Sequence, residues 1–297
     1  MYKKREKIIK AIVGFIFLAG LSVMLYPYFA NWWNRNMASH TIAGYKEKVA
    51  QIETGDSERI LAEAREYNEN LAGLYAPFSD FEQVPGYEEA LNISGTGVMG
   101  YLSVPSIRVE LPIYHGTSDG VLQMASGHIQ GSSLPVGGVS THAVISGHRG
   151  LPNAKLFTDL DQIVEGDTFT VHILNEVLTY EVDRIQIILP TDTAALAVVP
   201  GEDLVTLMTC TPYGINSHRL LIRGHRIETA SDRRVRVNGD AIQVDSLVVM
   251  TAVFVPLLVM LLLWWWWIGK RRKRIRIDRY TIAQLPSGRG EENGRKK

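Results

Sequence analysis

The sequence predicts a mainly β protein, a closed or nearly closed β-barrel with short helices. A helical pair precedes the barrel, and two membrane-spanning helices flank it. Three observations lead to this prediction. Two long apolar segments lie near the ends of the chain, each beside a cluster of basic residues. Apolar residues at helical spacing follow the first segment. From residue 97 onward, short β-type runs alternate with turn residues, which is typical of a barrel.

The two apolar segments cover residues 8–33 and 246–269. About 20 apolar residues are enough to cross the core of a bilayer, and tryptophans end both segments, where amphipathic rings favour the membrane interface. Both basic clusters lie on the terminal side of their segment, so the positive-inside rule places both termini in the cytoplasm and residues 34–245 outside. A cleaved signal peptide is the alternative for the first segment, and a buried core helix is the alternative for the second.

Between the first span and the barrel, two amphipathic repeats predict the helical pair. Ile42, Tyr45 and Val49 recur at helical spacing, and a second repeat runs from residue 60 to 74. Gly55-Asp56-Ser57 interrupts them, so that Asp56 or Ser57 is expected to cap the second helix. A turn-rich stretch, residues 75–97, then leads into the barrel.

The barrel is expected to contain strands near 97–104, 107–114, 142–147, 167–174, 177–189, 204–210 and 218–228. A hairpin turn is expected at Asn175-Glu176, and a brief helical piece at 154–164. The expected organisation is a basic N-terminus and membrane helix in 1–33, a helical region with a lid-like loop in 34–95, the barrel in 96–230, a linker in 231–245, a second membrane helix in 246–269 and a basic cytoplasmic tail in 270–297.

Charge and cysteine content limit the possible functions. The chain has 31 basic and 31 acidic residues, a balance that gives no support to nucleic-acid binding. Its one cysteine, Cys210, lies in "TLMTCTPYGINSHRLLIRGHR". Outside the cell this thiol has no internal disulfide partner, which leaves an intermolecular bridge, a reactive thiol or a buried inert cysteine. A free cysteine is mostly protonated near neutral pH, so a nucleophilic role requires a cation nearby.

Four histidines are candidate partners for the thiol. His148 ends the apolar run "THAVISGH" and is followed by Arg-Gly, a pattern that places a side chain at the rim of a barrel. His142 begins the same run, and His128 is expected in a loop. His218 precedes Arg219, so the two side chains would point to opposite faces of an extended strand. The residues alone leave this choice open.

Arg219 stays protonated and therefore cannot act as a base, but it can donate hydrogen bonds to an oxyanion. A strand ending at Cys210 and a return strand starting at Arg219 would bring both side chains to one rim. A surface salt bridge is the alternative role for this arginine.

The box "TLMTC", the upstream "ISGH" and Arg219 together resemble the signature of the sortases. The longer strings "HIQGSSLPVGG", "ISGHRGLPNAKLFTDLD" and "TCTPYGINSHRLLIRG" resemble the pilus-building class C sortases of Gram-positive bacteria, over roughly residues 96–228. The resemblance implies a closed β-barrel with Cys210 as nucleophile, His148 as acid and base, and Arg219 as the oxyanion and substrate binder. It implies no cofactor and no metal.

Class C enzymes cover their groove with a lid that carries an Asp-Pro-aromatic motif. The matching position here reads Ala76-Pro77-Phe78, so the aspartate is missing. Pro77 and Phe78 are the expected lid residues, and a simple linker turn is the alternative.

The resemblance implies a membrane-embedded transpeptidase that cleaves an LPXTG-like sorting signal and forms a thioacyl-enzyme. Its partners would be pilin or surface-protein subunits that carry such signals, and the acceptor would be a lysine amine of another pilin subunit, giving an isopeptide bond. A housekeeping sortase that uses an amine of a cell-wall precursor is one alternative. A non-catalytic surface receptor or adhesion domain is the other.

Overall fold

In the computed structural model, residues 1–235 form one compact unit. The structure describes residues 2–229 and, beyond them, only Pro256 and Met260. The predicted linker, the second membrane helix and the tail therefore lie outside the described residues, apart from these two positions.

The chain begins with two long helices, α1 (Tyr2–Ala50) and α2 (Thr54–Ala72). The predicted first span and the first helix of the predicted pair form one continuous helix, α1. The prediction of a cap at Asp56 or Ser57 is wrong, because α2 begins earlier, after Glu53. Ser57 is buried within α2 and donates its backbone N–H to the carbonyl of Glu53.

In the part of the chain that the structure describes, one segment is long and apolar enough to cross a membrane. It is Ile8–Ala50 of α1, whose most apolar 18-residue window has a mean hydropathy of 2.4 and no buried residue. Such a segment suits either a membrane anchor or a signal sequence.

Buried polar side chains attach both helices to the barrel. The hydroxyl of Tyr45 donates to the carbonyl of Met99 (3.0 Å) and accepts from the N–H of Leu174 (2.8 Å). Asn68 accepts from the N–H of Leu134 (2.6 Å) and donates to the carbonyl of the same residue (3.1 Å). These bonds satisfy buried backbone groups that would otherwise be costly to leave unpaired.

Eight strands in the described residues form a closed barrel in the order β1-β2-β3-β4-β7-β8-β6-β5. They are β1 (Val98–Val104), β2 (Val109–His115), β3 (Ser126–His128), β4 (Thr141–Gly147), β5 (Thr168–Ile173), β6 (Glu176–Ile188), β7 (Asp203–Thr211) and β8 (His218–Ile227). The pairs β2–β3 and β4–β7 are parallel, and the other neighbours are antiparallel. The predicted mainly β barrel with short helices is confirmed.

The remaining helical elements are short. They are the α-helices α3 (Pro77–Asp80) and α4 (Asp119–Leu122), and the 3₁₀ turns Phe81–Gln83, Pro105–Ile107, Leu160–Gln162 and Ala194–Leu196. The helical piece predicted at 154–164 is reduced to the turn at Leu160–Gln162. The β5–β6 hairpin turns at Leu174-Asn175, one residue before the predicted position, with Leu174 at a positive φ of 50°.

Side chains alternate between the two faces of strands β4, β7 and β8. Ala143 and Ile145 of β4 belong to the main core, which contains large, fully buried side chains such as Phe157 and Tyr180. Val144, between them, belongs to a second apolar cluster on the other face. We call this second group, formed by Val144, Leu196 and Leu221, the outer cluster. This cluster makes part of the outer face of these strands apolar.

Candidate active site

Cys210 and Arg219 lie directly opposite each other in the antiparallel ladder of β7 and β8. Residues paired in this way point to the same face of a sheet, with Cα atoms about 4.5–5.5 Å apart. The eight-residue connection that the sequence places between them therefore brings the thiol and the guanidinium to one end of the barrel.

His148 comes directly after the last residue of β4, Gly147. Strand β4 runs parallel to β7, and their last described pair is Ser146 with Met208. His148 lies two residues beyond Ser146, and Cys210 lies two residues beyond Met208. Because β4, β7 and β8 are neighbours in the barrel, the three sequence-predicted residues come from three adjacent strand ends.

Two buried contacts hold these strand ends in position. The hydroxyl of Thr209 donates to the carbonyl of Gly147 at 2.8 Å, joining the residues that precede Cys210 and His148. The N–H of Phe157 donates to the carbonyl of His148 at 3.1 Å. The backbone next to the candidate histidine is therefore fixed.

His142 is a structural residue of the barrel. It is 1% exposed, its Nδ1 donates to the carbonyl of Ala197 (2.9 Å), and its Nε2 accepts from the hydroxyl of Thr206 (2.7 Å). Burial lowers its pKa, so the ring is neutral. With both nitrogens occupied, it has no free atom for a proton transfer to the thiol.

His128 is also structural, and it lies in strand β3 rather than in the predicted loop. Its Nε2 donates to the carbonyl of Ser133 (2.8 Å), and its Nδ1 accepts from the hydroxyl of Tyr87 (2.9 Å). Complete burial lowers the pKa of His128 to about 4. His218 pairs with Thr211 at the start of β8, and its neighbour Arg219 points to the other face.

Cys210, His148 and Arg219 are all half-buried, which leaves each accessible to a substrate. Among residues 2–229, no side chain hydrogen-bonds the imidazole of His148. Arg219 donates from Nη1 to the carbonyls of Asn216 (3.2 Å) and His218 (3.1 Å), and no described carboxylate lies within 4.0 Å of it. The guanidinium therefore keeps most of its donors available, contrary to the alternative of a surface salt bridge.

The expected lid residues lie on the outer face beside this site. Pro77 begins the short helix α3, and Phe78 packs against the outer cluster. Met208 packs against the same cluster, and it lies two residues before Cys210 on the same face of β7. This segment packs closely against the backbone of Gly131, where a Cβ atom would lie 2.8 Å from the Cα of Phe78. The aromatic ring therefore packs on the outer face of the strands, the face of β7 that also carries Cys210.

Sequence reasoning missed a contact between the two loops that flank the site. Arg149 forms an ion pair with Asp161, and its guanidinium carbon lies 6.0 Å from the ring centroid of Tyr213. The Tyr213 hydroxyl donates to the carbonyl of Gly150 at 3.4 Å. These contacts connect the loop after His148 to the β7–β8 connection. No local pattern indicates them, because the partners are distant in sequence.

In the described part of the chain, no group of three or more His, Cys, Asp or Glu side chains is arranged to hold a metal ion.

Comparison with known proteins agrees with this geometry. A family model described as the sortase domain matches residues 102–227. Sortase C1 of Streptococcus agalactiae is 46% identical, with a TM-score of 0.59, and the match covers 64% of this chain and all of that one. A sortase C of Streptococcus pneumoniae is 41% identical, with a TM-score of 0.58, and the match covers 65% of this chain and 99% of that one.

A more distant relative is sortase D of Bacillus subtilis, 29% identical over 131 residues, or 43% of this chain. The match spans 63% of that relative's length. The S. agalactiae match, by contrast, extends over the whole of a solved sortase structure at high identity. The chain belongs to the sortase family of cysteine transpeptidases, and its structural neighbours are class C sortases.

Proposed function

We propose that this protein is a membrane-anchored class C sortase that polymerises pilin subunits. The observation that carries the proposal is the direct pairing of Cys210 with Arg219, next to the strand end that bears His148. The class C neighbours support the choice of substrate, since one of them is described in terms of its pilin substrate specificity.

In the first half of the reaction, the Cys210 thiolate attacks the threonine carbonyl carbon of an LPXTG-like sorting signal. A carbon–sulfur bond forms, and Arg219 donates hydrogen bonds to the oxyanion of the tetrahedral intermediate. The carbon–nitrogen bond to glycine then breaks, and His148 gives its proton to the departing amine. The product is a thioacyl-enzyme.

In the second half, a lysine amine of another pilin subunit attacks the thioester carbon. His148 accepts the proton from this amine, the carbon–sulfur bond breaks, and the thiolate is restored. The new bond is an isopeptide bond. A groove that excludes water favours this aminolysis over hydrolysis, and the apolar outer cluster provides such a surface.

Pro77 and Phe78 are proposed to act as a lid over the groove. The ring of Phe78 packs on the outer cluster, which an apolar sorting signal would otherwise contact. Ala76 precedes Pro77, so this lid has no carboxylate at that position to pair with Arg219. The closed state then depends mainly on the apolar contact of the ring.

The proposed topology has α1 as the first membrane anchor and residues 246–269 as a second, with both termini in the cytoplasm. The hydropathy and exposure of α1 support the first anchor. The basic cluster at residues 270–274 supports the orientation of the second.

The test is to trap the acyl-enzyme. Full-length protein is incubated with a panel of sorting-signal peptides, and the mass of the protein is measured before and after addition of acceptor amines. We expect an adduct on Cys210 that a lysine-containing pilin peptide displaces. The Cys210→Ala variant should show the melting temperature of the parent protein and no adduct.

The alternatives give different results in the same assay. Displacement by a cell-wall precursor amine, with no reaction of the lysine peptide, would identify a housekeeping sortase. An unreactive Cys210 would favour a non-catalytic surface domain. An undiminished adduct in Cys210→Ala would remove this residue as the nucleophile.

A further inference from the structure

A cavity of about 220 Å³ lies where α1 meets the barrel. None of Cys210, His148, Arg219 or Phe78 lines it. Its lining is rich in polar groups, namely the amides of Asn31 and Asn34 and the charged side chains of Arg35, Arg108, Glu110 and Lys155. The proposed transpeptidation uses none of these residues.

The cavity carries an excess of positive charge. The guanidinium groups of Arg35 and Arg108 have neither a hydrogen bond nor an ion pair with any of the described residues. The one acidic side chain in the lining, Glu110, is already paired with Lys46 at 3.7 Å. Arg108 also adopts a left-handed backbone conformation, with φ of 54°, which is uncommon for a residue other than glycine. Two cations at this site therefore lack a counterion.

Further polar groups surround these arginines. The amide oxygen of Asn31 accepts from the N–H of Lys155 at 3.1 Å, and its amide N–H groups have no acceptor among residues 2–229. The Lys155 ammonium is paired with Asp159 at 2.5 Å. The lining thus offers two free guanidinium groups and a free amide donor. Among the described residues that line the cavity, no carboxylate is unpaired.

The position of the cavity suits a membrane surface. Asn31, Asn34 and Arg35 are spaced to share one face of α1. Trp32 and Trp33 lie on the same turn and are 58% and 52% exposed. A helix rises about 1.5 Å per residue, so these tryptophans lie within one turn of the cavity. Because exposed tryptophans at the end of an apolar span favour the membrane interface, the cavity lies at the level of the lipid headgroups.

We propose that this cavity binds the phosphate group of an anionic lipid headgroup in the outer leaflet. Planar guanidinium groups recognise phosphate oxygens with two parallel hydrogen bonds, so Arg35 and Arg108 supply both charge and geometry. A volume of 220 Å³ is below the range of about 300–1,000 Å³ for drug-sized ligands, which fits a headgroup. The proposal rests on the proposed anchoring of α1 in the membrane, and it does not depend on the transpeptidase reaction.

The test measures thermal unfolding of the full-length protein in a neutral detergent during titration with short-chain phosphatidylglycerol. A ligand that binds only the folded state raises the melting temperature by an amount that grows with the logarithm of the ratio of ligand concentration to Kd. We expect phosphatidylglycerol to raise it and phosphatidylcholine of the same chain length to leave it unchanged. Arg35→Gln and Arg108→Gln should each weaken the phosphatidylglycerol Kd about tenfold, or about 1.4 kcal/mol.

Arg59→Gln is the matched control, because Arg59 is an exposed arginine of α2 that does not line the cavity. It should bind phosphatidylglycerol as the parent does, and so should Cys210→Ala, which separates this test from catalysis. If the arginine variants unfold early without lipid, Asn31→Asp replaces them. It keeps the acceptor for the Lys155 N–H and adds a negative charge that repels phosphate.

Several outcomes would overturn the proposal. Equal stabilisation by phosphatidylglycerol and phosphatidylcholine would show that the headgroup charge is not recognised. Unchanged Kd values in the arginine and Asn31→Asp variants would place the binding elsewhere. Equal stabilisation by inorganic phosphate or soluble glycerol phosphate would overturn the assignment to a lipid.

Discussion

Replacing Gly131 with alanine should open the proposed lid. Gly131 has a φ of 92°, and a Cβ atom there would lie 2.8 Å from both the Cα of Phe78 and the carbonyl oxygen of Pro77. Ordinary van der Waals contact begins near 3.4 Å, so the lid backbone must move away by at least 0.6 Å, the difference between these two distances. Both obstructing atoms belong to the backbone, so no change of rotamer relieves the overlap.

The expected size of the effect follows from the cost of overpacking. Inserting a methyl group into a packed contact costs about 1–3 kcal/mol. At about 1.4 kcal/mol for each factor of ten, the open state would gain roughly fivefold to a hundredfold in population. A short surface segment relaxes more easily than a core, so we expect a value near the lower end, about tenfold.

The assay is the rate at which a thiol reagent modifies Cys210 in the full-length protein. Gly166→Ala is the control, because Gly166 has a nearly identical φ of 90° and a Cβ atom there meets nothing within 4 Å. It introduces the same backbone strain without touching the lid, and it should react at the parent rate. Equal acceleration in both variants would indicate general destabilisation, and parent rates in both would refute the idea that this segment obstructs the thiol.

Three further predictions concern the lid, the oxyanion and acid stability. Phe78→Ala should speed modification of Cys210 and Ala76→Asp should slow it; equal rates in all three proteins would reduce this segment to a linker turn. Arg219→Lys should lower the transfer rate nearly as much as Arg219→Ala, by about 10²–10³, because lysine lacks the planar fork; a rate within about threefold of the parent would refute the oxyanion role. The folded-state pKa of His128, about 4, lies below its usual value of 6.5, so its contribution to stability is complete above pH 6.5 and is lost as the pH falls toward 4. The loss amounts to about 3 kcal/mol of unfolding free energy. His128→Gln should therefore flatten the pH dependence of the unfolding free energy, measured by denaturant titration between pH 4 and 7. An unchanged pH dependence in this variant would contradict this account.

The parts of the site that were predicted from sequence depend on local geometry. A strand, a short connection and a return strand fix which residues meet, so the spacing of Cys210 and Arg219 predicts their pairing. The sequence also correctly places His148 directly after a strand. The run before it shows little alternation of polar and apolar residues, and it ends in glycine. The choice of His148 over His142 and His128 depended on the family resemblance.

The structure shows why His142 and His128 are unsuited to serve the thiol. The ring nitrogens of His142 are occupied by Ala197 and Thr206, which are 55 and 64 residues away in sequence. Burial and distant hydrogen-bond partners leave no trace in the local pattern around a histidine. Both properties become visible only when the strands are assembled into the barrel.

The missed elements have similar causes. Strand β3 is three residues long, with the sequence Ser-Gly-His, and these residues have little intrinsic preference for a strand. It forms because β2 and β4 pair with it from both sides. The break between α1 and α2 falls before Gly55 rather than at it, because the first turn of a helix tolerates Gly, Asp and Ser well.

The two threonines of the "TLMTC" box have a structural role in the barrel. Thr206 bonds His142 at 2.7 Å and Thr209 bonds the carbonyl of Gly147 at 2.8 Å, so both attach β7 to β4. Both are 1% exposed, but they lie on opposite faces of β7: Thr209 points into the barrel, and Thr206 lies on the outer face with Met208. In a parallel pair such contacts set how far one strand end extends beside the other. The box therefore aligns the thiol with the strand end that presents His148, and these two candidate side chains remain half-exposed on the outer face.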